Sequence, residues 1–211
     1  MKNEQKLIEV IYFQRNLDIR NWKYPLAFLI QLTSLISRSR REYLRPCPND
    51  LAPIPSHVGI VLNGDFYDAT GKGVRKMSKE EALFRHKYCT IYGDTGGLFG
   101  VHSEHVTKLQ YYLDNRIGEG YSWTKAAMSY FDNHFLRFIK LKGKKTFCSA
   151  FVAEALAELD IHILNEGSTP EEQEPCDVMF CRRRQQLNGQ RYTLFPNFYK
   201  LDKDGNAEEA L

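Results

Sequence analysis

Apolar and polar positions are most legible between residues 57 and 70. Val58-Gly59-Ile60-Val61-Leu62 and Asp65-Phe66-Tyr67-Asp68-Ala69-Thr70 are strand-forming runs separated by Asn63-Gly64, a dipeptide that readily supplies the positive φ angles of a two-residue hairpin loop. Placing Leu62 opposite Asp65 pairs Ile60 with Tyr67, Gly59 with Asp68 and His57 with Thr70. Side chains alternate across a strand, so His57, Gly59, Asp68 and Thr70 share one face. A slip of one residue would put His57 and Asp68 on opposite faces.

Downstream, Ser78-Lys79-Glu80-Glu81 predicts a capped helix running to about His86, and Tyr88-Cys89-Thr90-Ile91-Tyr92 predicts a strand. Residues 93–100 are glycine-rich and predict a mobile turn. They lack the Gly-Lys-Ser/Thr of a phosphate loop. Helices are expected from Ser103 to Arg116 and from Ser122 to about Asn133. Phe135–Leu141 is apolar enough for either a strand or a helix. A further helix opens at Cys148, and Thr169-Pro170-Glu171-Glu172 predicts another, with Thr as cap and Pro in the first turn. Arg191–Phe195 and Phe198–Lys200 read as late strands. Residues 201–211 lack apolar periodicity and predict a flexible tail, leaving 1–200 as a single domain.

Cys148 permits two readings. It falls on a helical stripe with Val152, Ala155, Leu156 and Leu159, where a cysteine serves as a small hydrophobe. It also stands in the first turn, where unpaired backbone N–H groups and the helix dipole favour a thiolate. Lys142, Lys144 and Lys145 lie just upstream and would add positive potential if they face the sulfur. In the predicted hairpin register Asp68 is the diagonal neighbour of His57, at roughly 7–8 Å between backbones, a gap two side chains can close. A carboxylate on one ring nitrogen would fix the imidazole tautomer and leave the other nitrogen to act as base toward a thiol. The hairpin's own alternative is a surface histidine and aspartate with no such role.

Composition narrows the classes. The 211 residues are 43% hydrophobic and carry no Pro/Gly/Ser-rich linker, which is enough for one sizeable core. A net charge of +3 from 29 basic and 26 acidic residues is too balanced to argue for nucleic acid, and Arg38-Ser39-Arg40-Arg41 and Arg182-Arg183-Arg184 read as solvated faces. No signal peptide is legible, and Leu26–Leu32 is too short and polar-interrupted for stable membrane insertion, so a cytoplasmic protein is expected. The five cysteines Cys47, Cys89, Cys148, Cys176 and Cys181 lack a paired zinc spacing and fit reduced thiols. His102 and His105 stand three apart without a nearby third ligand, a weak metal signal. No cofactor is called for.

The order His57-Val58-Gly59-Ile60, Asp68-Ala69-Thr70, Gly73-Val74, Tyr121-Ser122-Trp123, Phe147-Cys148-Ser149-Ala150-Phe151-Val152 and Thr169-Pro170-Glu171 resembles the circularly permuted NlpC/P60 cysteine hydrolases, with YiiX/YaeF-like members nearest. The resemblance spans roughly residues 7–180, and within it Leu7–Phe13 looks like the family's opening strand and Leu29–Ser37 like its first helix. It implies an α+β, papain-like antiparallel sheet with helices packed against it. It also implies Cys148 as nucleophile, His57 as base and Asp68 as the orienting residue, although many relatives carry Glu at that place and Cys-Ser-Glu where this chain has Cys148-Ser149-Ala150. Tyr121 resembles a tyrosine near the oxyanion and so a substrate-binding residue, while Ser122-Trp123-Thr124 gives it a helix-capping neighbourhood as well. The implied reaction is cleavage of a peptide or peptidoglycan-type amide through a thioester. Transfer or hydrolysis of acyl-lipid esters is the alternative enzyme, and a catalytically silent binding protein of the same fold the alternative of another class.

Overall fold

The computed structural model describes residues 8–15, 55–94, 103–130, 146–163, 178–179, 183–187, 190–194, 198–202 and 204–210. The predicted features at Leu29–Ser37, Phe135–Leu141, Lys142 to Lys145, Thr169-Pro170, His102, Cys47, Cys176 and Cys181, and most of the 93–100 turn, lie outside them. The strands are β1 (Ile8–Arg15), β2 (His57–Leu62), β3 (Asp65–Thr70), β4 (Gly73–Ser78), β5 (Cys89–Asp94), β6 (Ile161–Ile163), β7 (Arg183–Leu187), β8 (Gln190–Leu194), β9 (Phe198–Leu201) and β10 (Ala207–Ala210). The helices are α1 (Lys79–Arg85), α2 (Ser103–Arg116), α3 (Trp123–Tyr130) and α4 (Cys148–Ala157). Seven strands form an antiparallel sheet in the order β10-β9-β5-β1-β2-β3-β4, and β6-β7-β8 form a second, three-stranded sheet. The fold is α+β. Among the described residues no helix is long and apolar enough to cross a membrane.

The β2–β3 hairpin has the expected register, with Leu62 opposite Asp65, Ile60 opposite Tyr67 and Gly59 opposite Asp68. Its turn residues Asn63 and Gly64 take φ of 53° and 87°, the left-handed pair that matches the twist of the flanking strands. Alternation then sorts the sheet into two faces. Val10, Tyr12, Val58, Ile60, Leu62, Tyr67 and Ala69 pack with Cys148, Phe151, Val152, Ala155 and Leu156 of α4. Ile11, Phe13, Val61, Phe66 and Met77 pack on the other face with Ala82 and Leu83 of α1. Ser78 caps α1 as its spacing predicts, its hydroxyl accepting from the Glu81 N–H at 3.1 Å.

α4 is buried on nearly every side, from Cys148 and Ser149 through Phe151, Val152, Ala155 and Leu156. A helix apolar all round belongs in the interior, and this one packs across β2 and β3.

The end of the chain differs from the expected flexible tail. β9 and β10 pair as a hairpin on the sheet edge, with Leu201 buried. The turn supplies the reason. Asp202 Oδ1 accepts from the N–H groups of Asp204 and Asn206, both at 2.8 Å, and Gly205 takes φ of 83°. Asp and Gly thereby specify a tight turn that a search for apolar periodicity does not detect. β9 is tied to the centre by Tyr199, whose hydroxyl donates to the fully buried Glu9 at 2.7 Å, while Lys79 pairs with the same carboxylate at 2.7 Å.

Gly59 is set by space. A Cβ there would lie 2.3 Å from Phe66 Cζ and 2.8 Å from the Tyr67 carbonyl oxygen. Gly59→Ala is therefore expected to destabilise the protein by roughly 1–3 kcal/mol through overpacking, read as a lower urea midpoint at unchanged slope.

Candidate active site

Three element positions meet at the site. His57 is the first residue of β2, Asp68 lies on β3, and Cys148 is the first residue of α4. His57 and Asp68 share the sheet face occupied by Phe13 and Phe66, whereas α4 packs on the opposite face. His57 reaches Cys148 because it stands at the very start of its strand.

His57 Nε2 lies 2.8 Å from Asp68 Oδ2, and Cys148 is near enough to the same ring to help raise its pKa. With Nε2 engaged by the carboxylate, Nδ1 is the nitrogen left for the sulfur. The expected diagonal contact is thus made, but the space over Gly59 is not an open gap: the Phe66 ring fills it. Thr70, the other polar residue of this face, donates to the Gly73 carbonyl at 3.3 Å in the next turn.

Arg75 completes the row, and the reading of the sequence did not anticipate it. It stands opposite Asp68 in the β3–β4 ladder. Its Nε donates to Asp68 Oδ1 at 2.7 Å and its Nη2 to Oδ2 at 2.9 Å. The signal was available, since a two-residue Gly71-Lys72 turn carries the β2–β3 alternation one strand further. His86 was also missed. It caps the C-terminus of α1, and its ring stacks on Phe13 at 4.1 Å and on His57 at 5.7 Å between centroids. Nothing local in the sequence points from residue 86 to residue 57.

The charges follow from this packing. Burial opposes ionisation of Asp68, but the hydrogen bonds and charges of Arg75 and His57 outweigh it and lower its pKa to about 2. Burial likewise opposes charge on His57, and there the hydrogen bonds to Asp68 and Cys148, with their charges, prevail and raise its pKa to about 10. His57 accordingly holds a proton across neutral pH. Burial and the positive charge of His57 push His86 down to about 3, so it stays neutral beside its neighbour. His57, Asp68 and His86 bring ligand-type atoms within 4.8 Å of one another. Both Asp68 oxygens are engaged by Arg75 and His57.

Around the sulfur, α4 has Phe147 as its N-cap with no side-chain cap hydrogen bond, and the first N–H groups of a helix have no intrahelical acceptors. Tyr121 lies half-buried against the cluster that contains Cys148. It is held there by a bridge to Thr146, with the Ser122 N–H donating to the Thr146 carbonyl at 2.8 Å. Burial, and then the charge of Cys148, push its phenol pKa upward. Its helix-capping neighbour is equally real, for Ser122 Oγ accepts from the Lys125 N–H at 3.2 Å. Cys89, also a free thiol, sits half-buried on β5, where burial raises its pKa. No protein-family model matches the chain, and no curated protein matches it either.

The Asp68 cluster makes stability pH-dependent in a defined direction. Asp68 is lowered from 3.8 to about 2, so its contribution is present above pH 3.8 and lost as pH falls through about 2. His57 is raised from 6.5 to about 10, so its contribution is complete below pH 6.5 and lost as pH rises through about 10. Arg75→Gln is expected to cost on the order of 1–3 kcal/mol and to move the acid loss to higher pH. Urea unfolding between pH 2 and 10 checks both, and a variant with wild-type acid stability would show that Arg75 does not hold the carboxylate.

Proposed function

We propose that the chain is a cysteine hydrolase of the papain-like, circularly permuted NlpC/P60 type, acting on a peptide or peptidoglycan-type amide. The observation that carries this reading is the continuous row from Cys148 through His57 to Asp68, with the nucleophile at an uncapped helix start. In this mechanism the Cys148 thiolate attacks the carbonyl carbon, and the developing oxyanion is met by N–H groups of the first turn of α4. The tetrahedral adduct collapses as His57 gives its proton to the departing amine, leaving a thioester on Sγ. Water then adds to the thioester while His57 takes its proton, and C–S cleavage releases the carboxylic acid and restores the thiolate–imidazolium pair. Asp68, held by Arg75, keeps the ring oriented and supports its charge throughout.

One observation favours a second reading. Cys148 is only 2% exposed, as a core-packing cysteine in a binding protein of this fold would be.

Alkylation decides between them. Iodoacetamide at pH 6 is expected to label Cys148 ahead of Cys89, and Cys148→Ala to abolish both this labelling and turnover without loss of fold. His57→Ala is expected to lower turnover of amide substrates by on the order of 10²–10⁴-fold, with Asp68→Asn retaining more activity than His57→Ala. Mass spectrometry of products from muropeptides and from phospholipids identifies the bond cleaved. An inert Cys148, or full hydrolysis surviving Cys148→Ala, would overturn the nucleophile assignment.

A further inference from the structure

Exposed large hydrophobic side chains include Phe84, Tyr88, Tyr111, Ile117 and Trp123, and scattered single ones are ordinary. Two contacts set Trp123 apart. Its indole stands edge-on to the Tyr121 ring at 4.8 Å and 64°, and Tyr121 packs beside Cys148. It also lies over Gly71, where a Cβ would come within 2.2 Å of Trp123 Cζ2. Gly71 carries no positive φ, so the absent side chain is explained by the indole and not by the backbone.

Trp123 thus spans the site. One side touches the tyrosine next to the nucleophile, and the other rests on the turn of the β3–β4 hairpin that supplies Asp68 and Arg75. Its backbone is fixed by the Ser122 cap and by the Ser122–Thr146 hydrogen bond, while the indole remains 54% exposed. A flat apolar surface on a rigid element beside a reactive centre is the arrangement by which a site positions an apolar group.

We propose that Trp123, seated on Gly71, is a specificity platform that binds an apolar group flanking the scissile carbonyl. That group is an aromatic side chain of the peptide substrate, for which a ring is the natural partner, and an acyl chain is the other outcome of the test. The proposal rests on Cys148 being the nucleophile, and the test separates the two. Alkylation of Cys148 is timed with iodoacetamide, N-hexyliodoacetamide and N-phenyliodoacetamide, which share one reactive carbon and differ in the apolar group. In each case the Cys148 thiolate displaces iodide from that carbon.

Trp123→Ala is expected to lower the rate of the substituted reagents relative to iodoacetamide by roughly tenfold, the scale of an aromatic contact. Gly71→Ala, which displaces the indole without removing it, is expected to lower the same ratio, and Trp123→Phe to retain part of it. Circular dichroism confirms folding of each variant. A ratio that is unchanged or higher in Trp123→Ala overturns the platform and leaves the nucleophile standing. Failure of iodoacetamide to label Cys148 in the wild type overturns both. A larger loss with the hexyl reagent identifies an acyl chain as the occupant, and a larger loss with the phenyl reagent an aromatic side chain.

Discussion

The buried Asp68 carboxylate is the constraint on which the rest of the site depends. A carboxylate with no solvent exposure keeps its charge only when several donors meet it, and Asp68 has them from both neighbouring strands, His57 on β2 and Arg75 on β4. Hairpin register and site geometry are therefore one requirement. A one-residue slip of β3 would turn Asp68 onto the face occupied by Ile60, Tyr67 and α4, and separate it from both partners. Arg75 does more than anchor the acid. Its hydrogen bonds and charge act with those of His57 to hold Asp68 ionised against the cost of burial.

What was legible in the sequence was what local turn chemistry dictates. Asn63-Gly64 specified one hairpin and its register, and from that the pairing of His57 with Asp68. Ser78 specified the start of α1, and Ser103–Arg116 emerged as a helix with the expected bounds. The same logic applied to Gly71-Lys72 leads to Arg75, and applied to Asp202–Asn206 leads to the β9–β10 hairpin, because in each case the turn and not apolar periodicity carries the information. His86 and the Phe66 ring over Gly59 are different in kind. They reach the site by packing of a helix end and a side chain across the sheet face, and no spacing in the chain encodes that meeting.

Cys148 shows why a single residue type could not be read alone. The side chain is buried with Phe151 and Val152 in the principal core, and it also stands at the start of α4 near the His57 ring. α4 needs an apolar first turn in order to dock on β2 and β3, and the nucleophile proposed at that position must satisfy the same requirement. Cysteine is the side chain that does both, small and apolar enough to pack yet ionisable beside a cation.

Cys89 provides the contrast within one molecule. It too is a free, partly covered thiol near a basic side chain, with Arg15 opposing the effect of burial, yet burial prevails and its pKa is raised. The two cysteines differ in their backbone setting. The Cys89 N–H donates to the His86 carbonyl at 2.8 Å as β5 begins its ladder with β1, whereas Cys148 begins a helix whose first N–H groups have no intrahelical acceptors. In the proposed mechanism an oxyanion formed beside Cys148 would face those backbone donors. The proposed chemistry is thus located by the ends of elements, where backbone groups are left over, and the buried Asp68 cluster holds His57 at one such end, the start of β2.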